Sequence, residues 1–162
     1  MNDTRLRFAI FGSGDFGPQF ASYISELGDV VALSDPDPDG RVRFGETTGL
    51  DVAGYDNHEA LLADEDIDVV AITSPNHTHR EIAVAAARAG CHVYCEKPFA
   101  TDPATGANVI VTARDRQLRV GVAPDTFLGA GHQTVRSLVD LGKIGRVVSV
   151  TAIWMSHGHE TW

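Results

Sequence analysis

No apolar run in this 162-residue chain approaches the ~20 residues that a bilayer-spanning helix needs, so no membrane partner is expected. Basic charge is also short, with 13 Lys and Arg against 22 Asp and Glu and a formal charge of −9. A field of that sign repels phosphate backbones, and no basic cluster interrupts it, which argues against nucleic acid as a partner. Any phosphate bound here must be held by local backbone N–H groups. Cysteine is scarce as well: only Cys91 and Cys95 occur, inside one predicted strand. Four residues of strand hold their Cα atoms about 13 Å apart, beyond disulfide reach. His92 between them points to the opposite face and zinc would need two further ligands, so two reduced structural thiols and no metal site are expected. The opening Met1-Asn2-Asp3-Thr4-Arg5 has no signal-peptide pattern, and the expected location is cytoplasmic.

What is present is 43% hydrophobic residues in short runs separated by Gly, Pro, Asn and Asp, the pattern of a globular domain with a real core. Arg5–Phe11 reads as a strand, followed by a glycine loop and a helix to about Leu27, with Gly28 as its C-cap. Asp29–Ser34 is a second strand closed by the turn cluster 35–40. A helix over 41–49, a short strand near Tyr55 and a helix from Asn57 through Ala63 come next. Ile67–Thr73 is an almost unbroken apolar run, as a parallel strand covered on both faces requires. Ser74-Pro75-Asn76-His77 breaks it, and Thr78 with Glu81 reads as a capping box on a helix to Ala89, stopped by Gly90. His92–Cys95 is a strand leading to Glu96-Lys97-Pro98. Asp102 and Pro103 open a helix through about Gln117, and Leu118–Val122 is the sixth strand. Strands and helices alternating at this spacing predict an α/β fold, a Rossmann-type doubly wound parallel sheet over residues 1–123.

The loop after the first strand is Gly12-Ser13-Gly14-Asp15-Phe16-Gly17. A GxGxxG placed between a strand and a helix has a mechanical reading. Gly12 permits the sharp turn, Gly14 lets the backbone approach a pyrophosphate, and Gly17 allows close helix packing. The helix N-terminus then presents free N–H groups to the phosphates. Asp35 lies 23 positions after Gly12 at the end of the second strand, close to the ~20-residue offset of an acid that accepts from ribose hydroxyls. Its charge, with Asp37 and Asp39, repels a 2′-phosphate. NAD is therefore favoured over NADP, although Arg41 and Arg43 leave the second cofactor open.

Two further loops, Ser74–His79 and Glu96–Pro98, fall at the carboxyl ends of neighbouring strands, where an open α/β sheet binds its ligand. Lys97 there is a point donor beside the nicotinamide, able to orient and polarise a substrate hydroxyl or carbonyl. A cis Lys97–Pro98 bond is compatible with the sequence. The run from Thr73 to Ala100, TSPNHTHREIAVAAARAGCHVYCEKPFA, resembles the Gfo/Idh/MocA family of glucose–fructose oxidoreductase and inositol dehydrogenase. The likeness extends from the glycine loop to Gly142-Lys143-Ile144-Gly145.

That resemblance implies an NAD(P)-dependent dehydrogenase acting on a sugar, polyol or related hydroxylated small molecule. It implies that Lys97 is the catalytic lysine, that Asn76 lies near the nicotinamide, and that Glu96 supports the loop. Thr73, Ser74, Pro75 and His77 become cofactor-side positions, and His79 either a second catalytic candidate in the cleft or simply the start of the following helix. Asp125 and Thr126 are weaker candidates for the same cleft. An NAD(H)-binding sensor and a redox-assisted glycosidase are the alternatives; retention of Lys97 argues against the sensor. After Ala123 the pattern changes to a loop, a helix over His132–Leu141, a turn at 142–145 and a strand from Arg146 to Met155. These read as the first helix and strand of an incomplete α+β second domain over 124–162, leaving a fragment able to bind cofactor but poorly active. Val148, Val150, Ala152 and Trp154 share one strand face, which predicts self-association there. His132, His157 and His159 fall in no recognisable acid/base motif.

Overall fold

The computed structural model describes residues 5–123, 126–153 and 155. Its elements are β1 (Leu6–Phe11), α1 (Phe16–Ile24), β2 (Gly28–Ser34), α2 (Pro38–Thr48), β3 (Ala53–Tyr55), α3 (His58–Asp64), β4 (Val69–Ile72), α4 (His79–Ala89), β5 (His92–Cys95), α5 (Pro103–Asp115), β6 (Val120–Val122) and α6 (Ala130–Asp140). The six strands form one sheet in the order β3-β2-β1-β4-β5-β6, and every neighbouring pair is parallel. The order reverses at β1, so a crevice opens between the carboxyl ends of β1 and β4.

The two faces of the sheet follow from the period-two alternation of strand side chains. Ala9 and Phe11 of β1, with Val70 and Ile72 of β4, face a cluster that includes Ile82, Ala83 and Ala86 of α4 and Val109 of α5. Phe8 and Ile10, with Ala71, face Ala21 and Ile24 of α1 and Phe44 of α2. Both faces of β1 and β4 are thus covered, which is why those runs read as continuous apolar sequence. The alanines of α4 let that helix approach the sheet closely.

Three helices begin on capping side chains. Asp37 accepts from Asp39 N, Asn57 from Ala60 N, and Asp102 from Thr105 N at 2.9 Å. Both thiols are buried and free. Cys91 Sγ donates to Ile67 O and Cys95 Sγ to Glu96 O, each at 3.3 Å. Burial pushes both thiols up, Cys95 to about 12 with help from the Glu96 charge.

Four sequence expectations are corrected. Gly28 does not cap α1: it begins β2, and a Cβ there would lie 2.4 Å from Leu6 O and 2.5 Å from the Phe8 ring. The glycine serves sheet packing, and α1 ends at Ile24, four residues earlier, through turns. The cluster 35–40 is not all turn, because Asp37 caps and Pro38 opens α2. Thr78 forms no capping box with Glu81. A short 3₁₀ turn over Asn76–Thr78 enters α4 already wound, and the Thr78 hydroxyl bonds Pro75 O and Ser74 Oγ instead.

The fourth concerns residues 146–155. Among the described residues of that segment there is no strand, and Val148 and Val150 are 84% and 81% exposed. A strand needs a neighbouring ladder for its backbone groups, and none of the described residues supplies one. Trp154, Asp125, His157 and His159 lie outside the described residues. The chain divides into two compact units after Pro124. In the second, Gln133 Nε2 donates to Phe127 O at 2.7 Å and Arg136 pairs with Asp140 at 2.6 Å, with α6 ending near two left-handed glycines, Gly142 and Gly145.

The cap on α5 carries a pH signature. Hydrogen bonds from the Thr105 backbone and hydroxyl hold the Asp102 carboxyl below its ordinary value of 3.8. Its contribution is therefore complete above that value and lost as pH falls through the lowered one. Asp102→Ala is expected to lower Tm at neutral pH, with the gap from wild type narrowing below pH 3.8; thermal melts across that range check it.

Candidate functional site

The site is built where the ends of β1 and β4 touch. Gly12 follows β1 with φ +105°, and a Cβ on it would lie 2.7 Å from Ser74 N and 2.8 Å from the Thr73 carbonyl carbon. Conformation and space both demand glycine there. The Thr73 hydroxyl reaches Phe11 O at 3.1 Å and Gly12 O at 3.0 Å, and Gly12 N donates to Ser34 O at 2.9 Å. Gly17 supports the turn from below, since a Cβ on it would lie 2.4 Å from Gly12 O.

Gly14 differs from both. Its φ is not left-handed, and an added Cβ would meet nothing within 4 Å. The protein's own packing has no need of glycine at this position. Beside it, Asp15 stands at the N-cap of α1 without a side-chain hydrogen bond to the helix, and Asp15 and Phe16 are exposed. The positive end of α1 therefore faces open space across Gly14.

Asp35 sits half-buried at the end of β2. Its Oδ2 accepts from Ser13 N and Ser13 Oγ, both at 2.7 Å, and its Oδ1 accepts from Asp37 N at 2.9 Å. A carboxylate offers about four acceptor positions, so one on Oδ1 remains open. The two nearby arginines are committed inside the loop. The Arg41 guanidinium donates to Asp35 O, and Arg43 pairs with Asp37 at 2.9 Å. Arg43 holds the Asp37 carboxyl below the usual carboxylate range, so the rim stays negative.

Between these elements lies a cleft of about 370 Å³ whose wall includes Gly12, Asp35, Ser74, Pro75 and His77. Asn57, His58 and Glu81 also line it. Sequence reasoning took Asn57 only as a helix cap and Glu81 only as half of a capping box, and His58 carried no motif. Among the described residues, ligand atoms of His58, Glu59 and Glu81 lie within 4.8 Å of one another. Both carboxylates are exposed, and His58 Nδ1 already faces Glu59 Oε2 at 3.3 Å. That is a solvated helix start rather than a closed ligand set.

The third loop follows β5. Glu96 N donates to Ile72 O at 2.8 Å, the Glu96 carboxylate accepts from Lys97 N at 2.9 Å, and the Lys97–Pro98 bond is cis. Lys97, Asn76 and His77 are exposed. His79 is not. It is 1% exposed, with Nε2 2.7 Å from Ser74 O and Nδ1 2.8 Å from Pro98 O. At this expected second catalytic position the ring is buried, and each of its nitrogens faces a backbone carbonyl. Thr126 begins a short 3₁₀ turn in the second unit.

Residues 6–124 match the family model GFO_IDH_MocA, described as an oxidoreductase family with an NAD-binding Rossmann fold. The 1,5-anhydro-D-fructose reductase of Ensifer adhaerens is 30% identical over 75% of this chain and 36% of its own length. The inositol 2-dehydrogenase of Rhizobium meliloti is 30% identical over 90% of this chain and 44% of its own. The crystal structure of the WlbA dehydrogenase from Chromobacterium violaceum, in complex with NADH and UDP-GlcNAcA, superposes with a TM-score of 0.81. It is 25% identical, over 90% of this chain and 43% of that one. The chain spans less than half the length of these relatives.

The glycines separate structural from ligand-facing roles. Gly12→Ala is expected to destabilise the fold by more than about 2 kcal/mol through strain and overpacking. Gly14→Val is expected to leave stability within about 0.5 kcal/mol, as at an open surface position. Urea denaturation of both variants checks the contrast.

Proposed function

The chain belongs to the Gfo/Idh/MocA oxidoreductase family, whose NAD-binding Rossmann domain residues 6–124 match, and from that membership we propose that it serves a dehydrogenase transferring hydride between nicotinamide and a hydroxylated carbon of a sugar or polyol. The observation that carries the reading is Gly14, a glycine that packing inside the protein does not require. A pyrophosphate approaching the backbone does require it. The uncapped start of α1 beside it fits the same anion, and the residues present suit the group.

Asp35 is the ribose acceptor in this reading. Ser13 and Asp37 hold its carboxylate in place, and the open position on Oδ1 takes a hydroxyl. Asp35, Asp37 and Asp39 set negative charge beside the ribose acceptor, and Arg41 and Arg43 are drawn to Asp35 O and Asp37. This supports NAD over NADP. When bound, the nicotinamide ring supplies the hydride acceptor or donor.

On the reaction side, Lys97 donates a hydrogen bond to the reacting oxygen. The anchored Glu96 fixes the Lys97 backbone through its carboxylate, so the ammonium is delivered from a set position rather than from a free surface turn. Asn76 and His77, exposed on the neighbouring loop, line the same edge of the sheet and orient what lies between. Inositol and anhydrofructose enzymes among the relatives support a polyhydroxylated substrate.

Calorimetric titration is expected to show NAD binding at least about tenfold tighter than NADP, and Gly14→Val weakening NAD about tenfold or more, a loss of roughly 1.4 kcal/mol. Lys97→Ala is expected to keep NAD affinity and, in a protein that carries the second domain whole, to lower NADH formation from a panel of polyols and sugars about a hundredfold. Equal affinity in the Gly14→Val variant would overturn the cofactor assignment, and undiminished turnover without the ammonium would remove Lys97 from the chemistry.

A further inference from the structure

The geometry points to His79 as a positioning residue: its buried imidazole bridges Ser74 O and Pro98 O and thereby fixes the Lys97 loop against the Ser74–His77 loop. The claim about Lys97 rests on the function proposed above; the bridge itself rests on coordinates alone. The ring is 1% exposed, and its two nitrogens lie 2.7 Å and 2.8 Å from carbonyl oxygens on two different loops. No other hydrogen bond to either carbonyl is made among the described residues. A carbonyl oxygen only accepts, so every bond in this bridge is donated by the ring. A ring with one N–H closes one side, and a ring with two closes both. Loss of the ring would remove the donors it offers these two carbonyls.

The consequence falls on Lys97. On its N-terminal side, Glu96 is tied to β4 through Ile72 O, and the Lys97 amide is tied to the Glu96 carboxylate. On its C-terminal side, the carbonyl of Pro98 is held by His79. The other nitrogen of the same ring holds Ser74, whose neighbour Thr73 is fastened to Gly12. One side chain therefore sets the spacing between the glycine loop's support and the lysine. The ring is buried and spans two loops.

The test compares His79→Leu, which removes both donors, with His79→Gln, which keeps an amide donor for one carbonyl. Backbone ¹⁵N order parameters of the unliganded chain are the first readout. In His79→Leu, those of Lys97 and Phe99 are expected to fall from about 0.85 to below about 0.6, with Phe8–Phe11 unchanged and His79→Gln intermediate. Unchanged values at 97 and 99, or an equal fall in β1, would overturn the bridge. If His79→Leu fails to fold, the Gln variant decides by the same comparison.

Titration with NAD and with ADP-ribose, which lacks the nicotinamide, is the second readout. The variants are expected to keep ADP-ribose affinity and lose about tenfold for NAD; equal losses would overturn the positioning role. Failure of wild type to bind either nucleotide would refute the cofactor reading instead, leaving the order parameters to judge the bridge.

Discussion

The contact between the ends of β1 and β4 governs the arrangement of this molecule's site. Gly12 and the Thr73–Ser74 backbone meet at distances that leave no room for a single added carbon. That contact sets the height of the glycine loop above the sheet, and a continuous series of bonds extends from it. On one side it runs through Ser13 to the Asp35 carboxylate. On the other it runs through Ser74 and His79 to Pro98, next to Lys97. Gly14, the Asp35 carboxylate and Lys97, the groups proposed to meet phosphate, ribose and the reacting oxygen, lie on three loops that share this one anchor. Preorganisation of that kind is what a hydride-transfer site requires of its protein, since the cofactor supplies the chemistry.

The electrostatics look contradictory at first. A chain with a formal charge of −9 is proposed to hold a diphosphate, and the rim around Asp35 is itself acidic. Range resolves the conflict. Charges at the surface are screened over about 8 Å at physiological ionic strength, whereas the amides at the start of α1 act at hydrogen-bond distance. In the proposed role the acidic rim favours a ribose that offers hydroxyls over one that carries another phosphate. Of the neighbouring arginines, Arg41 is drawn to Asp35 O and Arg43 to Asp37.

Much of the fold was legible because its signals are local. Alternating or unbroken apolar runs marked β1, β4 and β5, and Asn57 and Asp102 announced their helices through caps that the structure contains. The misreadings arose where a residue answers to something distant in sequence. Gly28 looked like a helix stop, but it is dictated by Phe8 on the adjacent strand. Thr78 looked like a cap, but the 3₁₀ turn before it had already directed its hydroxyl to Pro75. His79 stands in a motif of cleft residues, and its partner nineteen positions on is not legible from that motif. The segment after Arg146 has the alternation of a strand, but alternation records a preference for a neighbour and cannot supply one. Within the glycine loop the motif alone does not separate Gly12, which the protein's own packing requires, from Gly14, which it does not require.

The most direct test of the account is a titration of the ¹⁵N-labelled chain with NAD, followed by amide chemical shifts. Saturable shifts centred on the amides of Ser13 to Phe16, with smaller ones at Asp35 and Asn76, are the predicted result. A spectrum in which those loop amides stay fixed while NAD perturbs another face of the molecule, or perturbs nothing, would contradict it.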